Sequence, residues 1–200
     1  MLKAIIVKHV KEYRKTYIII SIMFILGICF GVGIINQLNE EEREIIQKYF
    51  FEYTSGFSNL NIQNVFLNGI LSKSKFVFVL FILACTIIFE KVIYGCVLYK
   101  GFSIGYSISA SLKVYGIRKG ILLSITTLGF QNIIFIPCIL FFANYCINFC
   151  KIMKNNNVDI KRCYFKLFMT FCVIMIISAI SSCLELFFSY KIIKKIQFFY

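Results

Sequence analysis

The stretch that decides the fold is YIIISIMFILGICFGVGIINQL, which runs from Tyr17 to Leu38 without a charged residue. As an α-helix it would extend about 33 Å, enough to cross a hydrocarbon core of about 30 Å. Its apolar core, Tyr17–Ile35, is longer than that of a signal peptide, and no small-x-small cleavage site follows it. The stretch therefore predicts a retained first transmembrane helix.

The composition extends this interpretation to the whole chain. Of the 200 residues, 60% are hydrophobic and 16% are charged, and the mean hydropathy is +0.82. Soluble domains carry about a quarter charged residues, and one water-soluble core could not hide this much apolar surface. The sequence predicts an all-α, polytopic helical membrane protein with about five transmembrane helices and an amphipathic extracytoplasmic segment.

The positive charge is distributed as in a membrane protein. The net charge is +13, but the 22 basic residues lie mostly between apolar runs and not on one face of a folded module. This distribution argues against nucleic-acid binding and favours contact with anionic lipid. Five basic residues precede the first apolar run and predict a cytoplasmic N-terminus: Lys3, Lys8, Lys11, Arg14 and Lys15.

Hydropathy divides the chain into five predicted regions. They are a cytoplasmic basic segment (1–16), the first transmembrane helix (17–38), an extracytoplasmic amphipathic segment (39–75), a membrane bundle of three to four helices (76–190) and a tail (191–200).

Three segments of the bundle differ in length. Phe76–Tyr99 is predicted as the second span. Gly101–Leu112 would reach only about 18 Å, which is too short unless its flanking lysines extend toward the interface. Gly120–Cys150 is too long for one upright span. The choice between four and five spans therefore depends on Gly101–Leu112.

The polar interval 39–75 has two interpretations. Asn39 followed by Glu42 resembles a capping box at the start of a helix, and apolar residues then recur at helical spacing. Such helices could lie on the membrane and cover the bundle, or they could form a partner-binding surface.

Small residues occur at the spacing that brings helices close together. The first span contains Gly27, Gly31 and Gly33, and the short segment contains Gly101, Gly105 and Ser109. Such residues allow two backbones to approach within a bundle, or allow docking with another membrane protein. Both interpretations remain open at this point.

A helix-break motif is predicted near the middle of the chain. The adjacent amides Gln131 and Asn132 precede Pro137 in an apolar run. Amides in lipid must face protein, and a proline frees backbone groups that such amides could bind.

The inventory of reactive groups predicts no enzyme. Glu90 and Glu185 are the acids within or beside apolar runs, and an intramembrane acid is a functional-site hypothesis. His9 is the only histidine, and the nine cysteines form no C-x-x-C pair. We therefore expect no catalytic, cofactor-binding or metal-binding residues.

The order and spacing of these motifs resemble the stage II sporulation protein M family of endospore-forming bacteria. The resemblance rests on the glycines between Phe24 and Gly33, on Lys100-Gly101 followed by Gly105, and on Gln131-Asn132 with Pro137. Phe130 stands where the family's stretch has a first proline. The resemblance covers nearly the whole chain.

The resemblance implies a location and partners. A member of this family would lie in the mother-cell membrane at the sporulation septum. It would be a non-enzymatic scaffold that holds two peptidoglycan-cutting enzymes, stage II sporulation proteins P and D, for septal thinning and engulfment. The alternative is a small membrane permease or transporter subunit, which Glu90, Glu185 and the proline-containing run favour.

Overall fold

The computed structural model contains helices and no strand in the residues that it describes. These are residues 13–37, 39–42, 44–46, 48, 62–86, 90–125, 130–154 and 159–197. Of these residues, only the backbone is described for 62–66, 68, 122–123, 130–131 and 185–197. Five long helices lie within this part of the chain: α1 (Arg14–Gln37), α2 (Ile62–Cys85), α3 (Glu90–Ser124), α4 (Phe130–Met153) and α5 (Ile160–Gln197). The predicted all-α class is confirmed.

Three of the described helical segments are long and apolar enough to cross a membrane. They are Arg14–Gln37, Asn132–Met153 and Ile160–Leu184. Large apolar side chains cover their outer faces, including Ile25 at 58% exposed and Ile176 at 62% exposed. An apolar surface of this extent requires lipid, so the chain is a membrane protein.

Helix α4 lies at the centre of the bundle. Of its most apolar stretch, 56% is buried inside the protein, compared with 22% for α1 and 28% for α5. Six of its residues have no exposed surface: Phe142, Ala143, Asn144, Cys146, Ile147 and Cys150. Helices α1, α2, α3 and α5 all pack against α4, so the core of the bundle forms around it.

Helices α1 and α3 run parallel and touch backbone to backbone. Gly101 lies against the Phe24 carbonyl group, and Gly105, one turn later on α3, lies against Ile28, one turn later on α1. Because glycine has no side chain, the two backbones can touch at these positions, as in close-packed pairs of membrane helices.

The same contact uses two of the three predicted glycines of α1. A Cβ atom added to Gly27 would come within 2.9 Å of the Phe102 nitrogen, and one added to Gly31 within 2.6 Å of the Tyr106 nitrogen. Gly33 is different, because no atom of the described residues would lie within 4 Å of its Cβ. The predicted role of Gly33 in packing within the chain is therefore wrong, since this residue lies on the open side of α1.

The predicted second span, Phe76–Tyr99, is wrong because the chain turns inside it. Helix α2 ends at Cys85, where the Thr86 hydroxyl donates to the Leu83 carbonyl at 2.9 Å. Glu90 begins α3, a position at which the helix dipole favours an acid. Hydropathy missed the turn because residues 87–89 are also apolar.

The boundary drawn at residue 75 also falls inside a helix. Helix α2 is continuous from Ile62 to Cys85, so the end of the polar interval 39–75 belongs to the bundle. At the other end of that interval, the Asn39 backbone N–H donates to the Glu42 carboxylate at 3.1 Å. This is one of the two hydrogen bonds of the predicted capping box.

Gly101–Leu112 is not a separate helix. It is part of one continuous helix over residues 90–115, which is about 39 Å long. Ser109 lies within it and is buried, at 6% exposed. The short segment looked isolated in the sequence only because Lys100 interrupts the apolar run.

Helix α3 reverses direction at Gly116. The residue has φ +76° and ψ 169°, a left-handed conformation that glycine adopts without a steric penalty. The chain then folds back, so that a Cβ added to Gly120 would lie 2.6 Å from the Leu112 Cα atom. The Ser111 and Ser124 hydroxyls form a hydrogen bond across this hairpin.

Pro137 does not break the helix that contains it, contrary to the predicted helix-break motif. Helix α4 continues through Pro137, and the long run Gly120–Cys150 divides earlier, between Ser124 and Phe130. Proline removes one backbone donor but can stay in a membrane helix when its neighbours support the helix. The dense packing around the centre of α4 provides that support.

We expect Gly31→Leu to destabilise the protein and Gly33→Leu to leave its stability unchanged. Both changes add the same side chain to α1, but only residue 31 faces the α3 backbone. Separation of α1 from α3 should cost about 1–3 kcal/mol or more, by analogy with overpacked cores. Thermal unfolding of the purified protein in detergent would measure the difference. Equal melting temperatures for the two variants would contradict the glycine contact.

Candidate functional site

Two lysines reach into the apolar bundle: Lys73 is buried, and Lys100 is half-buried at the edge of a groove. Lys73 of α2 is only 5% exposed, and its ammonium group donates to the Ser181 hydroxyl of α5 at 3.5 Å. The Lys73 and Lys100 ammonium groups lie 5.7 Å and 5.5 Å from the centroid of the Phe135 ring. Cations at this distance are attracted by the negative face of an aromatic ring. The two lysines therefore share one aromatic partner from α4.

Helix α1 shows how deep Lys100 lies. Its neighbour Gly101 contacts Phe24, which is near the middle of the apolar run Tyr17–Ile35. Lys100 therefore leaves α3 close to mid-depth of a helix that is long enough to span a membrane. A lysine at that depth costs about 2.5–3.5 kcal/mol on insertion scales, so it is a functional-site hypothesis by default.

Buried serines of α5 line the side of the bundle near Lys73. Ser178 and Ser182 donate to carbonyl oxygens of their own helix, at 2.8 Å and 3.1 Å. Ser181 instead accepts the hydrogen bond from Lys73. All three serines are buried, at 0–1% exposed. Helix α5 thus carries hydroxyl groups into the interior at the level of the lysines.

A groove between α2 and α3 leads to Lys100. It has a volume of about 540 Å³ and is mostly apolar. Its lysine, serine and tyrosine residues are Ser72, Lys75, Tyr99, Lys100 and Ser103. Lys75 is exposed, whereas Lys73, two residues earlier, points into the core.

Glu90 belongs to an ion cluster at one end of the bundle. Its carboxylate accepts a hydrogen bond from the Lys154 ammonium group at 2.8 Å and lies 3.7 Å from that of Lys151. The hydrogen bond to Glu90 raises the pKa of Lys154. Lys151 also reaches the Thr16 hydroxyl at 3.5 Å, so the cluster joins the starts of α1 and α3 to the end of α4.

The structure separates the predicted site residues into different places. Glu90 lies at the end of the bundle with basic partners, whereas the side chains of Glu185 and Gln131 lie outside the described residues. Asn132 is buried, and Pro137 lines a second groove between α3 and α4. Lys73 and Lys100 were not among the site residues that the sequence predicted.

Sequence reasoning also missed a polar pair inside α4. Asn144 has no exposed surface, and its side-chain oxygen accepts a hydrogen bond from the Asn148 amide at 3.0 Å. Lys151 follows on the same face of the helix and reaches Thr16. The spacing of four residues between two amides in an apolar run was the signal that could have identified this pair.

The reactive groups of the described residues do not form a metal site. No group of three His, Cys, Asp or Glu side chains lies close enough to hold a metal ion within the described part of the chain. All nine cysteines are free thiols, and the buried Cys150 thiol donates weakly to the Ala84 carbonyl at 3.6 Å. The chemistry of the interior is therefore that of buried ammonium, amide and hydroxyl groups.

Comparison with protein families places the chain in a known family. The model of the family described as stage II sporulation protein M matches residues 20–190. The matched range includes the glycine contact, both interior lysines and the groove between α3 and α4. Neither curated proteins nor solved structures give a match.

We expect Lys73→Met to lower the stability of the protein more than Lys75→Met does. The first change removes a hydrogen bond and a cation–π contact from the interior, which together contribute about 1–3 kcal/mol. The second change replaces an exposed lysine of the same helix by the same residue. Thermal unfolding in detergent would compare them. An unchanged or higher melting temperature for Lys73→Met would show that the interior lysine does not stabilise the bundle.

Proposed function

This chain belongs to the stage II sporulation protein M family, and we propose that it is a non-enzymatic membrane scaffold of the engulfment machinery. Family membership makes it a sporulation-related membrane protein, and the match over residues 20–190 is the observation that carries the proposal. In the proposal, the chain lies in the mother-cell membrane at the septum and holds peptidoglycan-cutting enzymes there. The enzymes remodel the septal wall, and this chain determines where they act.

The packing of the interior supports a structural role. Helices α1 and α3 meet through their backbones, and the central stretch of α4 is more than half buried. Bundles packed in this way keep a fixed surface, as a scaffold must. Lys73, the charged side chain most deeply buried among the described residues, is held in place by Ser181 and Phe135.

We further propose that all five helices cross the membrane. Helices α2 and α3 lie alongside the three apolar helices. Successive helices alternate in direction, since the starts of α1 and α3 meet the end of α4 at the Glu90 cluster, and the Tyr164 hydroxyl near the start of α5 donates to the Cys85 carbonyl at the end of α2. Basic residues collect at this end of the bundle, including Arg14, Lys15, Lys151, Lys154, Lys161 and Arg162. The positive-inside rule orients this end toward the cytoplasm.

We expect alkaline phosphatase to be active when fused after Leu60 and inactive when fused after Asn157. The enzyme folds only outside the cytoplasm, and the proposed topology has the polar interval outside and the basic connection between α4 and α5 inside. Enzyme activity normalised to fusion-protein level in a bacterial host is the measurement. Activity after Asn157 alone would invert the proposed orientation.

The proposed partners are the cell-wall enzymes that the family resemblance implies. Stage II sporulation proteins P and D cut peptidoglycan, which lies outside the cytoplasmic membrane. In the proposed orientation the part of the interval 39–75 that precedes α2 faces the same compartment. The scaffold could therefore contact these enzymes through that interval, through the membrane helices, or through both.

We expect deletion of the gene for this chain to disperse the septal hydrolase and to stop engulfment. A strain that produces the Gly33→Leu chain should behave normally, whereas the Gly31→Leu chain should not restore engulfment because its bundle is distorted. Fluorescence microscopy of a labelled hydrolase in sporulating cells would score both localisation and membrane migration. Normal septal localisation and normal engulfment in the deletion strain would overturn the scaffold proposal.

The second candidate function is a small permease or transporter subunit. Its specific support is the pair of interior lysines, because ionisable groups at membrane depth mark ion or substrate pathways in transporters. Against it, the described lysine contacts are with a serine and with aromatic rings, which hold the ammonium groups in the packed core. Normal hydrolase localisation in the deletion strain would make this candidate the first choice.

A further inference from the structure

A second groove opens on the membrane-facing side of the bundle between α3 and α4. Its volume is about 600 Å³, and almost all of the surface that lines it is apolar. Its walls come from α3, from the segment that folds back after Gly116, and from the first turns of α4. Residues of these three walls include Ile104, Ile108, Ile121, Ile125, Ile133 and Ile136.

Asn132 is the unusual residue in this groove. Its side chain lines the apolar wall, and the residue is 8% exposed. Its amide makes no hydrogen bond to any part of the chain that the structure describes. Ser124, the other polar residue of the groove, is already bonded to Ser111. An amide without a partner in an apolar environment is costly, so a polar group that enters the groove would stabilise this amide.

Pro137 adds a second group that needs a partner. It lines the groove one turn after Ile133 and has no N–H to donate to the Ile133 carbonyl oxygen. In membrane helices such a freed carbonyl is usually satisfied by a neighbouring helix, a side chain or water. The first turns of α4 therefore present an amide and a carbonyl oxygen within one apolar surface.

The groove is a fixed feature of the fold. The positive φ of Gly116 and the backbone contact of Gly120 with Leu112 hold the folded-back wall against α3. The groove lies at the end of the bundle opposite the Glu90 cluster, because that cluster contains the last turn of α4 and the groove contains its first turns.

We propose that this groove receives one transmembrane helix of another membrane protein, and that a hydroxyl or amide side chain of that helix bonds Asn132. The apolar walls fit the side chains of a membrane helix, and the polar group distinguishes the occupant. A lipid acyl chain would fill the same volume but has no donor or acceptor for the amide. Interhelical hydrogen bonds of this kind stabilise helix pairs in membranes.

The inference deepens the proposed scaffold function and rests on it. A scaffold must hold its partner by a defined surface, and the groove lies on the side of the membrane where, in the proposed topology, the cell wall is found. The partner chemistry is that of a protein with an apolar span and a Ser, Thr, Asn or Gln in the outer part of that span.

Photo-cross-linking in sporulating cells tests the occupant directly. A photoreactive benzoylphenylalanine replaces Ile133 in the groove or, as a control, Ile176 on the outer face of α5; these isoleucines are 69% and 62% exposed. We expect the probe at position 133, and not that at 176, to mark the membrane span of another protein that carries such a polar residue. Marking of lipid only, of a second copy of this chain, of no molecule, or equal marking from both positions would overturn the proposal.

Substitutions test the role of the amide and the space around it. Asn132→Leu should reduce the cross-link from position 133 by about threefold or more, the effect of an average interhelical hydrogen bond. Ile133→Trp should fill the groove and disperse the partner, whereas Ile176→Trp should not. Membrane levels and melting temperatures would establish that each variant folds. An unchanged cross-link in the Asn132→Leu chain would contradict the proposed hydrogen bond.

The two proposals can fail separately. If the deletion strain loses hydrolase localisation but the Ile133→Trp strain keeps it, the scaffold proposal stands and the groove proposal fails. If the deletion strain engulfs normally, the scaffold proposal itself fails.

Discussion

The backbone contact between α1 and α3 is the constraint on which the rest of the bundle depends. Two parallel helices can meet in this way only where both lack side chains, and Gly27, Gly31, Gly101 and Gly105 provide that match. With α1 held against α3, the depth of every α3 residue is set by the apolar run of α1. Lys100 is thereby placed level with the middle of the apolar run of α1, and its ammonium group lies 5.5 Å from the centroid of the Phe135 ring.

Polar groups are separated by type along the bundle. The ion cluster of Glu90 with Lys151 and Lys154 lies at one end, where water and lipid head groups can solvate charge. The ammonium group of Lys73 lies deeper and is bound by a serine and an aromatic ring. At the opposite end from the ion cluster, the Asn132 amide faces an apolar groove. This amide is placed for a contact outside the described chain, which agrees with the proposed scaffold that binds within the membrane.

The sequence by itself determined the class of the protein and the positions of the small residues that permit close helix packing. An uncharged run of membrane length can only be a helix in lipid, because a backbone without water must bond to itself. Glycines four residues apart, Gly27 with Gly31 and Gly101 with Gly105, predicted close packing, whereas Gly33 has no glycine four residues away and faces the open side. The spacing of small residues identifies helix faces on which another helix can pack closely. It does not identify which two faces pack against each other.

The tertiary structure alone decided where the helices end and which polar residues are interior. Apolar residues continue through the turn before Glu90, so hydropathy joined α2 to α3, and Lys100 divided a helix that is in fact continuous to Gly116. Lys73 was assigned to a polar interval because a buried lysine and a solvated one look the same in sequence. Only the packing of α4 and α5 around it distinguishes them, because burial depends on neighbours that are distant along the chain.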